Sequence, residues 1–405
     1  MKRILLSSVS FLIIALLLIV TPICACGYTL EYPGLNNTFR QEEFTYDDEW
    51  FLYGLEDYGW FEDVAHTSMA LAASAYDQTC IRNALVTMGF NESEVWQEYS
   101  LATQGDTDSV AFTFAHKSTS IEEGFTGQPM EIYAIVIRGT MGEEWLSNFN
   151  VYDKGQGVTE HQGFSLGAWW VEQKFAEYYR KLGDQDKRNN IIWITGHSRG
   201  AAVADLLAEK LYINERFSPW HGLFPYTFAA PNTVYWTDKS SLPARSIFWN
   251  FINDGDLVCA LPPAAWGYQR YGRTVNLGEN FGSNAVNGMK EQFQQITGET
   301  YQGLTASQRD TIANIIVQVA PNRDNYPKNL MKAIAYYLMG ERAKTLVLLR
   351  DLGRSIKLGA LLALEETLDK DETVKAIFHA HSTEAYLAWT RWMAANQQPK
   401  QDSGW

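Results

Sequence analysis

The chain has 405 residues, a formal net charge of −14, 46% hydrophobic residues and 20% charged residues. These values describe an ordinary globular protein able to bury a large core, and they exclude a disordered chain. They also argue against a nucleic-acid partner, which needs clustered Lys and Arg, and against attraction to anionic bilayers. A lipid partner would have to be met through apolar contact.

The N-terminus reads as an export signal. Lys2 and Arg3 are followed by an apolar run from Ile4 to Val20, then Pro22 and the small-residue region Ile23-Cys24-Ala25-Cys26. Residues 1–25 are therefore expected to be a signal peptide, and the mature protein to be secreted. Two other outcomes stay open: an uncleaved membrane anchor, or a lipoprotein held through Cys26, since Ile23-Cys24-Ala25-Cys26 resembles a bacterial lipobox. Cys80 and Cys259 are the two cysteines of the globular part. Export permits a disulfide between them, and two buried free thiols fit equally well. No CxxC or HExxH pattern occurs, so neither a metal nor a cofactor is expected.

Residues 26–60 read as an extended, aromatic and acidic lead-in. Helical spacing begins near Phe61, with Val64, Met69, Leu71, Ala72 and Tyr76 on one face, and a second helix carries Ile81, Leu85 and Met88 up to Gly89. The pattern then changes to short strands at Val110–His116 and Ile132–Arg138. The almost continuously apolar run of the second is that of a strand covered on both faces. A long amphipathic helix is expected from Phe164 to Leu182, a buried strand at Ile191–Thr195, and an Ala- and Leu-rich helix at Ala201–Leu211. Further strands are expected at Tyr226–Ala229 and Ile247–Phe251. Strands alternating with helices imply an α/β protein with a mostly parallel sheet flanked by helices. This core should span residues 61–279 and 371–392. A helical insertion should occupy 280–370, and a tail 393–405.

Gly196-His197-Ser198-Arg199-Gly200 is a G-x-S-x-G pattern placed directly between a buried strand and an Ala-rich helix. In that setting the turn lifts the serine hydroxyl above the sheet edge. The flanking glycines leave room for it, and the helix N-terminus faces the developing negative charge. Ser198 is thus the candidate nucleophile. Its base and orienting acid should follow it in the order acid, then histidine. Of the seven histidines only His379 and His381 lie far enough downstream, and Asn253-Asp254-Gly255-Asp256 directly follows a strand.

With these residues in hand, the chain resembles the class 3 lipases, a triacylglycerol-lipase family of the α/β-hydrolase fold. Ile137-Arg138-Gly139-Thr140 is similar to the family's strand-end motif, and His161-Gln162-Gly163-Phe164 to the opening of its next helix. Gly196–Gly200 with Ala201-Ala202 is similar to its elbow, with Arg199 where Leu is more usual. Thr227–Pro231 resembles the following strand end. Asp256-Leu257-Val258 before Leu261-Pro262-Pro263 resembles its acid segment, and His381 with Tyr386 its histidine segment. The resemblance implies a Ser198–His381–Asp256 triad, with Asp256 chosen over Asp254 and an acyl-enzyme intermediate. It also implies an oxyanion hole from the Thr140 and Arg199 N–H groups, aided by the Thr140 hydroxyl. The implied function is a secreted ester hydrolase acting on lipid-like esters, with transient contact with lipid interfaces. The helical insertion departs from the family by lengthening the path from Asp256 to His381. Met141–Glu160, where fungal members carry an apolar lid, is mostly polar here. A carbohydrate-linked acyl or feruloyl esterase and a non-catalytic surface-binding protein on the same scaffold are the other two functional classes considered.

Overall fold

The computed structural model describes residues 26–35, 38–52, 59–100, 110–122, 128–139, 160–183, 187–236, 246–319 and 371–396. The expected export segment 1–25, Thr140, the stretch 141–159, the part of the insertion at 320–370 and residues 397–405 lie outside the described residues.

The sheet is built first from its most apolar segment. β6 (Asn190–His197) is buried at every position, which is what a strand flanked on both edges and covered on both faces requires. On one side it pairs in parallel with β5 (Pro129–Ile137), and on the other with β7 (Leu223–Phe228). β9 (Trp249–Ile252) and β11 (Arg273–Asn276) extend the parallel part. β4 (Phe112–Glu122) and β3 (Trp96–Glu98) close the other edge in antiparallel register. The order of this seven-stranded sheet is β11-β9-β7-β6-β5-β4-β3. A minor two-stranded pair joins β8 (Val234–Tyr235) to β10 (Tyr268–Gln269).

Because side chains alternate along a strand, neighbouring residues of β5 and β6 feed two different cores. Ile132, Ala134, Val136, Ile191 and Trp193 enter one. Tyr133, Ile135, Ile137, Ile192 and Ile194 enter the other. The second core is covered by α3 (Gln162–Lys181) and α4 (Arg199–Asn214). The first is covered by α1 (Glu62–Ser74), α2 (Gln78–Thr87), α5 (Leu277–Thr297) and α8 (Thr383–Ala395). α2 starts at an Asp77 cap whose carboxylate accepts from the Thr79 and Cys80 N–H groups, the usual way to satisfy a helix's first donors.

Three features differ from the sequence reading. The lead-in is a β-hairpin, β1 (Cys26–Pro33) against β2 (Phe39–Tyr46), and Leu30, Tyr32, Phe44 and Tyr46 bury themselves in the first core. Period-two burial along β2 is the strand signature that the clustered acids and aromatics obscured. The first helix of the expected insertion, α5, belongs to this core through Leu277, Ala285, Met289 and Phe293. It runs so close to α8 that a Cβ on Gly288 would fall 2.1 Å from the Trp392 indole nitrogen. Finally, α8 continues to Ala395, past the expected core limit at 392. Among the described residues, no helix is long and apolar enough to cross a membrane. Cys80 and Cys259 are both buried free thiols.

Candidate active site

The site forms at the carboxyl ends of β6, β7 and β9, where an open parallel sheet leaves its crevice. β6 ends at His197, Ser198 alone makes the turn, and α4 starts at Arg199. Ser198 holds φ 60° and ψ −125°, a conformation that costs a non-glycine residue about 1–3 kcal/mol. Neighbouring hydrogen bonds hold it there. The Ser198 N–H donates to the Phe228 carbonyl at 2.9 Å, and its own carbonyl accepts from the Ala202 N–H at 3.1 Å. The turn is tight enough that a Cβ on Gly196 would lie 2.6 Å from Gly200, and one on Gly200 only 2.2 Å from the Ile137 carbonyl oxygen. Both positions therefore require glycine.

Opposite the elbow stands His381, the last residue of α7 (Asp371–His381), separated from α8 by Ser382 alone. Its Nε2 is 2.8 Å from Ser198 Oγ and its Nδ1 is 2.8 Å from Asp256 Oδ2. The three side chains thus form one continuous hydrogen-bonded line, although 183 positions separate the serine from the histidine. Asp256 is fully buried. It accepts from the Val258 N–H at 2.9 Å and from the Tyr386 hydroxyl at 2.8 Å. These donors satisfy a carboxylate that burial would otherwise penalise.

The structure separates the two candidates in each pair. Asp254 sits 2 residues before Asp256 but faces the N–H groups of Gly278 and Glu279 at the start of α5. Partial burial raises its carboxyl above the usual range. His379 accepts from the Gln302 N–H at 3.3 Å and lies 3.7 Å from Glu299. Burial, then nearby Lys375, lowers its pKa. Asp254 and His379 both point away from the line. His161, read as structural, is fully buried, and its ring stacks on Phe164 at 4.0 Å between centroids.

Three supporting residues were not recognised for these roles in the sequence. Tyr386 links two elements: its hydroxyl accepts from the Asn253 N–H at 3.0 Å while donating to Asp256. Asn253 donates its amide to the Ala380 carbonyl at 2.8 Å, tying the end of β9 to the segment that carries His381. Tyr76, from the turn after α1, places its hydroxyl 2.9 Å from His197 Nδ1. Burial, then the neighbouring His381, pushes the His197 pKa well below the usual histidine value, so this ring is neutral. The spacing of Tyr386 from His381 was a signal for the first. Nothing local marks the other two.

Arg199 opens α4 directly behind the serine, where helix N–H groups have no partner within the helix. Thr140, the other expected oxyanion donor, lies outside the described residues, one position beyond Gly139. A Cβ on Gly139 would strike the Tyr76 hydroxyl at 2.0 Å, so the end of the β5 segment is pressed against the elbow.

The described part of the insertion also reaches the acid turn. α6 (Ala306–Val319) places Arg309, Ala313 and Val317 along a cavity of about 490 Å³, whose opposite wall includes Cys259, Ala260 and Pro263.

A mostly parallel sheet wrapped by helices, with a strained serine at a strand–helix elbow and a downstream acid and histidine, is the α/β-hydrolase fold. Residues 134–266, from β5 through the acid turn, match the sequence profile described as Lipase (class 3). Over that segment the chain is similar to the class 3 lipase family. Curated relatives agree. A secreted mono- and diacylglycerol lipase, MDL5, of Malassezia globosa is 31% identical over 99 residues, 24% of this chain and 30% of that protein. A lipase of Rhizomucor miehei is 29% identical over 158 residues, 36% of this chain and 42% of that protein. The chain therefore spans less than half the length of the curated relatives it matches. Among solved structures, a Rhizomucor miehei triacylglyceride lipase aligns at 22% identity over 54% of this chain and 80% of that chain, with a TM-score of 0.38.

Proposed function

We propose that this chain is a secreted serine hydrolase that cleaves carboxylic esters of lipid-like acids through an acyl-enzyme. The observation that carries this reading is the unbroken Ser198–His381–Asp256 line, with 2.8 Å at both joints. Ser198 Oγ attacks the ester carbonyl while His381 Nε2 takes its proton. The imidazolium that forms is stabilised by Asp256, which also keeps Nδ1 protonated and the ring oriented. His381 then gives the proton to the departing alcohol. Water, deprotonated by the same ring, releases the acid and restores Ser198. His197 stays neutral beside this exchange, because burial opposes a second positive charge next to His381. The oxyanion is assigned to the N–H groups of Arg199 and Thr140, with the Thr140 hydroxyl as a third donor. The name of one curated relative, a mono- and diacylglycerol lipase, supports acylglycerols as the substrate class.

Helix α6, the described part of the expected insertion beyond α5, is assigned a capping role at the cavity beside the acid turn. The support is the placement of α6 across the cavity beside the acid turn, and segments that close over a site often gate access to it. Ala313→Trp and Val317→Trp should shift preference from long to short acyl esters. Unchanged selectivity in both folded variants would detach α6 from substrate choice.

The function itself is tested with a fluorophosphonate probe and a nitrophenyl ester series from acetate to palmitate, with tributyrin beside it. The parent should be labelled and hydrolyse the esters, and Ser198→Ala should do neither, with turnover falling on the order of 10⁶. Label retained by Ser198→Ala would remove Ser198 from its role. Activity confined to feruloyl or acetylated-sugar esters would move the substrate class to polysaccharide.

A further inference from the structure

Outside the Ser198 line, two fully buried glutamates stand out, Glu42 and Glu384. A buried carboxylate is costly unless it is paired and hydrogen-bonded, so the partners of each reveal what the fold holds together. Glu42, on β2, takes two hydrogen bonds from the Arg391 guanidinium, at 2.9 Å from Nε and 2.6 Å from Nη2. It also lies 3.3 Å from His66 Nε2. Glu384, on α8, receives the Leu35 N–H and the Thr383 hydroxyl, the latter at 3.0 Å. Arg40 lies 3.5 Å from Glu384 and extends its Nη1 to the Ile296 carbonyl near the end of α5, at 2.6 Å. The chain comes close to Glu384 because residue 34 is glycine: a Cβ there would fall 2.6 Å from Glu384 Oε1.

Both links join the N-terminal hairpin to one helix, across 349 positions. That helix is α8, and it starts beside His381. Ser382 caps it, accepting from the Ala385 N–H and donating to the His379 carbonyl at 3.0 Å. His381 therefore occupies a joint whose downstream arm is anchored by Glu384, three residues away. We propose that Glu384 is a positioning residue for His381: the β1–β2 connection grips it, and this grip holds His381 Nε2 at hydrogen-bonding distance from Ser198. The proposal rests on the hydrolase reading above. Misplacing a reacting group by about 1 Å can cost on the order of 10² in rate, so a partial loss of this anchor should cost less than that.

The test uses the full chain and counts working sites by phosphonate titration, so that turnover is expressed per active molecule. Glu384→Ala should lower kcat per titrated site about tenfold with KM nearly unchanged. Glu384→Gln, which keeps an acceptor for the Leu35 N–H, should recover most of it. Arg40→Met should fall between the two. A purely structural role would lower Tm and the number of titrated sites while leaving kcat per site at the parent value, and that result overturns the proposal. If Glu384→Ala does not fold, Arg40→Met decides: parental kcat per site again overturns it. A parent protein that takes no phosphonate overturns the hydrolase reading and this proposal with it, a result distinct from labelled variants with unaltered turnover.

Discussion

The two halves of the site are held in different ways. The serine half is local: β6, one turn residue and α4 are consecutive from Asn190 to Asn214, and two glycines clear the space the turn needs. The acid–base half is assembled from afar. Asp256 depends on Tyr386, Asn253 reaches Ala380, and α8 is gripped by a hairpin at the opposite end of the chain. Strain stored in one short turn needs only its immediate neighbours to hold it. A hydrogen-bonded line between distant residues needs every supporting element to be seated.

The sharpest way to break this contrast is at the acid. Asp256→Asn should lower kcat by roughly 10⁴, by analogy with serine-protease triads, while Asp254→Asn should leave it within a few fold, as measured by steady-state hydrolysis of a soluble ester. Equal losses would mean that Asp254 shares the role. On the serine side, Gly200→Ala puts a methyl into the Ile137 carbonyl and must push strand and helix apart. Turnover should fall on the order of 10² in whatever protein folds. Near-parental activity would show that the elbow has slack its geometry denies.

Tyr386→Phe probes the long-range half more gently. It removes one donor to Asp256 and leaves the Asn253 N–H without its acceptor. About 1–3 kcal/mol of stability should be lost with roughly tenfold in kcat, read by denaturant unfolding and by kinetics. Loss of stability with unchanged kcat would reduce Tyr386 to a packing residue.

The smallest effect concerns Asp205 on α4, fully buried between the Thr233 hydroxyl at 2.6 Å and the Tyr271 N–H at 3.3 Å. Burial raises its pKa to about 7, against the pull of those donors and Arg270 and with the push of Glu209. The folded protein then binds this proton more tightly than the unfolded chain does. The resulting stability is full below about pH 4 and is lost as pH rises towards 7. Asp205→Asn should raise Tm by a few degrees at pH 8 and change it little at pH 4, by thermal unfolding at the two pH values. The same shift at both would exclude titration of Asp205 as the cause.

Much of this was written in the sequence, and the boundary has a physical cause. Buried parallel strands betray themselves by apolar runs, and the elbow by glycines at fixed offsets, because both constraints act between near neighbours. β5, β6, α3 and α4 were accordingly readable to within a few residues. β11 and β3 were not: their four and three residues owe their strand state to pairing with β9 and β4 and carry too little pattern of their own. The choice between Asp254 and Asp256, and between His379 and His381, could be argued from resemblance but not from local chemistry. Asp254 and Asp256 share one turn and His379 and His381 one helix end, and only the packing of α5 and α8 decides which carboxylate and which ring meet. The sequence by itself determined the alternation of strands and helices and the strained serine. Which distant side chains close the line around that serine was decided by tertiary structure alone, because their meeting depends on helices seated against a core that no short stretch of sequence encodes.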